Sequence, residues 1–336
     1  MKRLFAILLA VAMLFSLTAC GDSSYTTDIF AMDTVMKLTA NGANAQAGVE
    51  AAVREINLLE SQLSNTIASS EISQLNAGGS GTVSEETAQL LTAALTYAQK
   101  TDGAFDMTIA PVVSAWGITT DTPRVPSQEE ITSLLQLVGS QHVTVSGTAV
   151  TLDAGCSVDL GGIAKGYASD RIAAIFAENG VTSGVVSLGG NVYACGMKDR
   201  KTGWRVAIQD PKDSANYAAV VTLSNQFAVT SGGYQRYFTA EDGTVYQHII
   251  DPATGYPVKS DLTSVTIIGT NGTMCDAYST ALYVMGQEKA IAYWKAHSDE
   301  FDLVLINAGG QVLYTPNLEG NLESVEGSSY AYQVIR

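Results

Sequence analysis

One stretch constrains this chain more than any other: residues 159–170, which read DLGGIAKGYASD. An apolar run that ends in an acid meets two glycines, Lys165, a third glycine and then a helical pattern. Glycines let a backbone approach a ligand closely, and the start of a helix presents free N–H groups at a positive dipole end. The stretch therefore predicts a strand-to-helix turn that can bind phosphate. Taken alone it also fits a tight turn with a solvated lysine, because it matches neither a Walker A motif nor G-x-G-x-x-G.

Composition limits the partners that such a turn could serve. The chain has 336 residues, of which 46% are hydrophobic, enough for a large core in one domain or two closely packed ones. Its formal net charge is −15, which argues against nucleic acid as a general partner. An anionic ligand would therefore need local help from glycine loops, a few Lys or Arg side chains, or a metal ion.

The N-terminus predicts export. A basic pair, Lys2-Arg3, precedes an apolar run, Leu4–Leu17, that is too short for a stable transmembrane helix. The segment Leu17-Thr18-Ala19-Cys20 resembles a bacterial lipobox, and a polar stretch follows it. The alternative is an ordinary signal peptide followed by a chance cysteine.

These features divide the chain into three parts. We expect residues 1–19 to be a lipoprotein signal peptide, residues 20–27 a linker, and residues 28–336 the functional domain. Diacylglycerol and palmitate on Cys20 would anchor the domain to the cell membrane, outside the cytoplasm of a bacterium.

Helical and strand patterns mix without regular alternation in the mature chain, which favours an α+β fold over a doubly wound parallel sheet. Residues 28–40 predict one opening strand with a kink near Met32-Asp33-Thr34, and Val245–Ile250 predicts another strand. Helices are expected at about 44–63, 84–101, 163–179, 274–285 and 288–297. Three cysteines (Cys156, Cys195 and Cys275) predict small buried thiols, with one disulfide left open.

A second candidate site opens a later helix. Asp276 and Thr280 are four residues apart, so they share one helix face. A carboxylate and a hydroxyl so placed suit a cation with oxygen ligands, above all Mg²⁺. Alternatively, Asp276 stabilises the N-terminus of the helix and Thr280 is a polar residue that binds no ligand.

A third candidate lies where a predicted strand runs into a Pro/Gly-rich turn. His248 and Asp251 lie three residues apart, followed by Pro252 and Gly255. Either side chain could take a proton from a reacting hydroxyl. Asp251 could equally be a turn former.

Taken together, the motifs closely resemble the ApbE family of FAD:protein FMN transferases, formerly labelled thiamine-biosynthesis lipoproteins. The resemblance spans about residues 28–315. In order, the motifs are Met32-Asp33-Thr34; Ser70-Glu71-Ile72-Ser73 with Leu75-Asn76; Gly103-Ala104-Phe105-Asp106-Met107-Thr108; the stretch 159–170; Leu188-Gly189-Gly190-Asn191; Thr230-Ser231-Gly232; His248-Ile249-Ile250-Asp251-Pro252 with Thr254-Gly255-Tyr256-Pro257; and Asp276-Ala277-Tyr278-Ser279-Thr280.

The resemblance implies a single flavin transferase domain, with a two-lobed form and an active site between the lobes left open. It implies cleavage of the FAD pyrophosphate, attachment of FMN to a Thr or Ser hydroxyl of a target protein, and release of AMP. Mg²⁺ would be held by Asp276, Thr280 and the carbonyl of Ala164, with Thr273 close by. His248 and Asp251 carry over as active-site residues, one of them the base for the acceptor hydroxyl.

The resemblance also implies a set of FAD contacts. These are Met32, Ala104, Phe105, Asp106, Gly161, Lys165, Tyr167 and Ile250, with Thr66 standing where many relatives carry an aromatic residue. The implied partners are FAD and target flavoproteins, membrane-associated or secreted. Two other functions stay open: a FAD pyrophosphatase that forms FMN and AMP, and a non-catalytic flavin-binding lipoprotein.

Overall fold

The structure is a computed structural model that describes residues 24–336, so the predicted signal peptide and the lipidation site Cys20 lie outside the described residues. Within that range the helices are α1 (Ala45–Leu63), α2 (Glu71–Gly78), α3 (Glu85–Lys100), α4 (Ala110–Trp116), α5 (Gln128–Leu134), α6 (Ala164–Glu178), α7 (Gly272–Met285) and α8 (Gln287–Ala296). The strands are β1 (Ser24–Ala31), β2 (Thr34–Asn41), β3 (Ser80–Thr82), β4 (Val143–Ser146), β5 (Ala149–Leu152), β6 (Ser183–Leu188), β7 (Asn191–Gly196), β8 (Trp204–Asp210), β9 (Asp213–Leu223), β10 (Gln226–Ser231), β11 (Tyr237–Thr239), β12 (Val245–Gln247), β13 (Leu262–Gly269), β14 (Asp302–Asn307), β15 (Gln311–Tyr314), β16 (Leu322–Ser324) and β17 (Ala331–Val334).

A nine-stranded sheet organises the fold, in the order β1-β2-β6-β7-β10-β13-β14-β15-β17. Neighbouring strands are antiparallel except for the parallel pair β15–β17. Smaller sheets are β3-β5-β4, β16-β9-β8 and the hairpin β11-β12. The predicted α+β class is confirmed, because the chain builds antiparallel pairs and not regular β-α-β crossovers.

Both faces of the central sheet are covered, and the alternation of its side chains shows how. In β10, Phe227 and Val229 face the core shared with the helices, whereas Ala228 faces the core shared with β8 and β9. In β14, Leu303 and Leu305 likewise face the core shared with the helices, and the residues that alternate with them face the other core. Successive strand residues point to opposite faces, so a strand that is apolar throughout is buried on both sides.

A third, smaller core stands apart from these two. It joins α4 and α5 to the β11–β12 hairpin around Trp116, whose Nε1 donates to the carbonyl of Gly255 at 2.8 Å. The Trp116 ring packs against Tyr246 and Tyr256. This unit fixes the segment that carries His248 and Asp251.

The opening segment corrects one prediction. Residues 28–40 do not form a single kinked strand: β1 and β2 pair as an antiparallel hairpin, with Ala31 opposite Thr34. Its two turn residues, Met32 and Asp33, have φ angles of 49° and 58°. The sequence offered no hairpin signal because such left-handed turns usually contain Asn-Gly, Asp-Gly or Gly-Gly.

Three further outcomes bear on the sequence predictions. Strand β12 ends at Gln247, so the predicted strand Val245–Ile250 was too long; the amide of Ile249 donates instead to the Gln247 side chain at 3.2 Å. Strand β1 includes residues 24–27, so part of the predicted linker belongs to the folded domain. The three described cysteines are free and buried, as the sequence predicted.

No helix in residues 24–336 combines the length and the apolarity needed to cross a membrane.

Candidate active site

The site is built where α6 begins against α7. Helix α6 has Ile163 in the N-cap position, which provides no side-chain cap. The amide of Gly166 donates instead to Oδ2 of Asp276 on α7, at 2.8 Å. A helix N-terminus carries partial positive charge, so a carboxylate is stabilised there. Asp276 is therefore a long-range cap for α6.

Two glycines let the helix backbones touch at this point. A Cβ atom on Gly166 would lie 2.6 Å from Cβ of Asp276 and 2.8 Å from the carbonyl carbon of Gly272. A Cβ atom on Gly272 would lie 2.7 Å from the carbonyl oxygen of Gly166. Side chains would push the helices apart, so Gly166 and Gly272 set the distance between the glycine stretch and Asp276.

The glycine stretch also meets Thr280 and Phe105. A Cβ atom on Gly162 would lie 3.3 Å from the Phe105 ring and 3.4 Å from Oγ1 of Thr280. Phe105 is buried, and Thr280 is half-buried. The structure thus brings three separate sequence motifs together at one point.

Hydroxyl groups lie next to each other in the middle of α7 and at the end of β10. Oγ of Ser231, at the end of β10, lies 2.8 Å from Oγ of Ser279 and 3.4 Å from Oγ1 of Thr280. The Ser279 hydroxyl also donates to the carbonyl of Asp276 at 2.9 Å. These contacts fix the Thr280 side chain beside the glycine stretch.

Charge at the site is carried by Asp276, Asp159 and Lys165. Burial raises the pKa of Asp276 above its ordinary value, against the opposing effects of Lys165 and the Gly166 amide. Burial likewise raises the pKa of Asp159, whose Oδ1 accepts from the Gly161 amide at 2.8 Å. Lys165 reaches the Gly161 carbonyl at 3.3 Å. Asp276 is buried and Asp159 is half-buried, and a metal ion beside Asp276 could offset its negative charge.

His248 faces the same region in its neutral form. Its amide and its Nδ1 both contact the carbonyl of Arg236, at 3.0 and 3.1 Å. Since a carbonyl only accepts, Nδ1 carries the proton and Nε2 keeps a free lone pair. Burial, with the charges of Arg236 and Lys165, lowers the pKa of His248 to about 4.

Arg236 also connects this region to the β1–β2 turn. Its Nη2 donates to the carbonyl of Asp33 at 2.8 Å, and the adjoining Met32 amide donates to Oε1 of Glu60 on α1 at 2.7 Å. These two bonds hold Met32 in its left-handed conformation next to the segment that bears His248.

Asp251 has a different environment from His248. Its Oδ1 accepts from the amide of Ala253 at 2.9 Å, and its Oδ2 accepts from the hydroxyl of Thr254 at 3.1 Å. Both carboxylate oxygens thus stabilise the residue's own turn. These contacts favour the turn-forming interpretation, and a role as base stays a prediction.

The oxygen donors present fit Mg²⁺. No group of three or more His, Cys, Asp or Glu side chains that could hold a metal occurs in the described part of the chain. Mg²⁺ is commonly held by one or two carboxylates completed by water and substrate phosphates. Asp276 with the Thr280 hydroxyl satisfies that pattern. The Thr273 hydroxyl makes a different contact from that of Thr280, because it donates to Asp170 at 2.6 Å.

Three further predicted FAD contacts, Asp106, Tyr167 and Ile250, lie in different surroundings. Asp106 is buried and accepts from the Thr108 amide and hydroxyl at 2.8 and 2.6 Å; burial raises its pKa. The Tyr167 hydroxyl is buried with no hydrogen-bond partner among residues 24–336. Ile250 is buried in the core around Trp116.

Thr66, Ala104 and Ala164 complete the predicted set. Thr66 is exposed, and its neighbour Asn65 lies close enough to Asp159 to oppose the rise in the pKa of that carboxyl group, which places the loop beside the glycine stretch. Ala104, next to Phe105, packs against the main core. Ala164 is the first residue of α6.

Sequence reasoning missed the residues that join α6 to α7. Asp170 closes the 159–170 stretch and Gly272 precedes Asp276, but neither was singled out. Ser231 appears only within the Thr230-Ser231-Gly232 motif of the family resemblance. A paired signal was available in the glycines at 166 and 272, since helix-interior glycine often marks a close backbone contact.

Comparison with known proteins agrees with this geometry. The sequence model of the ApbE family matches residues 32–305. An Escherichia coli K12 protein named FAD:protein FMN transferase is 38% identical over 62% of this chain, and the match spans 61% of that relative's length. A Treponema pallidum protein of the same name is 33% identical over 84% of this chain and 85% of its own length.

A solved structure supports the fold. The crystal structure of the ApbE protein from Thermotoga maritima superposes with a TM-score of 0.83 at 32% sequence identity. It covers 89% of this chain and 99% of that chain.

Proposed function

The chain belongs to the ApbE family, and on this premise we propose that it is a FAD:protein FMN transferase. The acceptor hydroxyl oxygen attacks the phosphorus on the FMN side of the FAD pyrophosphate. A new P–O bond forms, the P–O bond to AMP breaks, and AMP leaves. The acceptor's proton passes to a base, and the product is FMN joined to Thr or Ser through a phosphoester.

One observation carries the proposal: the Asp276 carboxylate lies at the N-terminus of α6, beside Lys165 and the glycine stretch. A pyrophosphate needs close backbone approach, which the glycines allow, and positive potential, which Lys165 and a metal ion held by Asp276 would supply. The Phe105 ring lies against the turn at Gly162. Phosphoryl transfer depends mainly on positioning and charge neutralisation, so rigid placement of these groups is what the reaction requires.

Asp276 and the Thr280 hydroxyl would hold Mg²⁺, and the carbonyl of Ala164 is the further ligand that the family resemblance implies. The ion, when bound, would neutralise phosphate charge and favour departure of AMP. Burial of Asp276 strengthens its attraction for a cation, because water screens a buried carboxylate less than an exposed one.

His248 is the proposed base. Its Nε2 lone pair is available because Nδ1 donates to the Arg236 carbonyl, and the ring is neutral at pH 7. A neutral imidazole can take the acceptor's proton. Asp251 is less suited to this role, since its turn engages both of its carboxylate oxygens.

We further propose that the protein acts outside the cytoplasm, anchored through lipid on Cys20. A lipid on Cys20, close in sequence to strand β1, would hold the enzyme near the membrane surface. The acceptors would then be membrane-associated or secreted flavoproteins with an accessible Thr or Ser.

AMP release provides the test. Purified protein is incubated with FAD and Mg²⁺, with and without an acceptor that carries exposed Thr or Ser, and AMP is quantified by chromatography. We expect AMP release that depends on acceptor and stops when the acceptor is consumed. Equal, sustained release without acceptor would assign a FAD pyrophosphatase instead. No AMP in either case would indicate a flavin-binding protein.

A further inference from the structure

A pair of carboxylates caps helices α6 and α7 reciprocally. Asp276 of α7 accepts the Gly166 amide in the first turn of α6. Asp170 of α6 accepts the amides of Gly272 and Thr273 in the first turn of α7, at 2.6 and 2.8 Å. Each helix thus supplies a carboxylate that accepts from the other's first turn: one amide of α6 and two amides of α7.

Three amides at the start of α7 have side-chain acceptors. Gly272 and Thr273 donate to Asp170, and Met274 donates to the side chain of the N-cap Asn271 at 2.7 Å. The Thr273 hydroxyl adds a third bond to Asp170, at 2.6 Å. Four groups are held by two side chains, and only Asp170 comes from outside the segment that leads into α7.

The reciprocal caps define one rigid orientation. Asp170 lies one helical turn after Gly166 and on the same face. The backbone contact between Gly166 and Gly272 lies between the two caps, and a Cβ atom at either glycine would overlap the opposite helix. Two caps and one contact point therefore fix both the separation and the register of the helices.

We infer that Asp170 is a positioning residue for the metal site: it holds α7 so that Asp276 and Thr280 lie at the correct place beside the glycine stretch. This rests on the proposed function, because it takes Asp276 and Thr280 as metal ligands. Asp170 acts through α7 and does not itself contact the reacting atoms.

The test measures metal affinity in the apo protein, without FAD or acceptor. Mn²⁺ serves as the probe, and its binding is followed by electron paramagnetic resonance. Asp170→Asn removes the charge and replaces one acceptor by a donor, whereas Asp170→Glu keeps the charge but displaces the carboxylate by one methylene. Outer-shell changes of this kind typically weaken metal binding by about 10–100-fold. We expect the affinity for Mn²⁺ to fall by about tenfold or more in both variants.

Glu55→Gln is the matched control. Glu55 pairs with Arg171 of α6 at 2.7 Å, so this change also removes one negative charge beside α6 while leaving both caps intact. Its Mn²⁺ affinity should stay within about twofold of the wild type. Thermal unfolding of the apo variants identifies any that fail to fold; should Asp170→Asn be one of them, Asp170→Glu carries the comparison.

Two results would overturn the inference, and they differ. If the wild type binds Mn²⁺ and the folded Asp170 variants bind it as tightly as Glu55→Gln does, Asp170 does not position the site. If the wild type shows no saturable Mn²⁺ binding, the proposed metal site is wrong, and the inference about Asp170, which depends on that site, is wrong as well.

Discussion

Replacing Gly166 with alanine should separate α6 from α7. The added methyl carbon would lie 2.6 Å from Cβ of Asp276 and 2.8 Å from the carbonyl carbon of Gly272. Carbon atoms pack favourably at about 3.5–4.0 Å, so the helices must move apart by roughly 1 Å. The neighbours are backbone and a Cβ atom, which cannot rotate away as a flexible side-chain end would.

The expected effects on stability and on activity differ in size. Overpacking a well-packed contact costs about 1–3 kcal/mol, but alanine is favoured over glycine inside a helix by about 1 kcal/mol. The net loss of unfolding free energy should therefore be about 0–2 kcal/mol. By contrast, misplacing reacting groups by about 1 Å can reduce the rate about 100-fold. Flavin transfer should fall far more than stability.

The assay compares flavin transfer rates and thermal unfolding for Gly166→Ala and Gly78→Ala. Gly78 ends α2, and a Cβ atom there would meet nothing within 4 Å, so that variant should keep its activity and lose no stability. If Gly166→Ala transfers flavin within about twofold of the wild-type rate, the close contact between the helices does not set the geometry of the site.

Three other predictions follow from the same geometry. Asp276→Ala should abolish Mg²⁺-dependent flavin transfer while circular dichroism still shows a folded chain; substantial transfer by that variant would remove Asp276 from the metal site. The pKa of His248 is about 4 when folded against 6.5 in its ordinary state, so the unfolded chain binds more protons between these pH values. Stability should therefore fall as pH drops through this window, by at most about 3 kcal/mol, and urea unfolding of His248→Gln should lack that part of the loss. Asp251→Ala should lower the unfolding midpoint through loss of its turn while leaving more transfer activity than His248→Gln; the reverse order of activities would make Asp251 the base.

Much of this arrangement could be predicted from local sequence. The helical period located α6 and α7 within a residue or two, and the i, i+4 spacing alone put Asp276 and Thr280 on one face. His248 was selected by its setting before a Pro/Gly-rich turn. These features depend on residues close together in the chain, for which periodicity and spacing are sufficient evidence.

Long-range contacts could not be predicted in the same way. Asp276 caps α6, which begins more than a hundred residues earlier, and Asp170 of α6 in turn caps α7. The local spacing of residues in the sequence indicates neither pairing. The β1–β2 turn could not be predicted for another reason. Met32 and Asp33 adopt left-handed backbone without glycine, a conformation stabilised by Glu60 and Arg236 from elsewhere in the fold.

The most direct test of the central claim is the intact mass of an acceptor protein after incubation with the enzyme, FAD and Mg²⁺. We predict a mass increase of one FMN phosphoester on a Thr or Ser, with one AMP released for each modified acceptor and no increase with Asp276→Ala. An unmodified acceptor in the presence of steady AMP release, or a modified acceptor with the Asp276→Ala enzyme, would contradict this account.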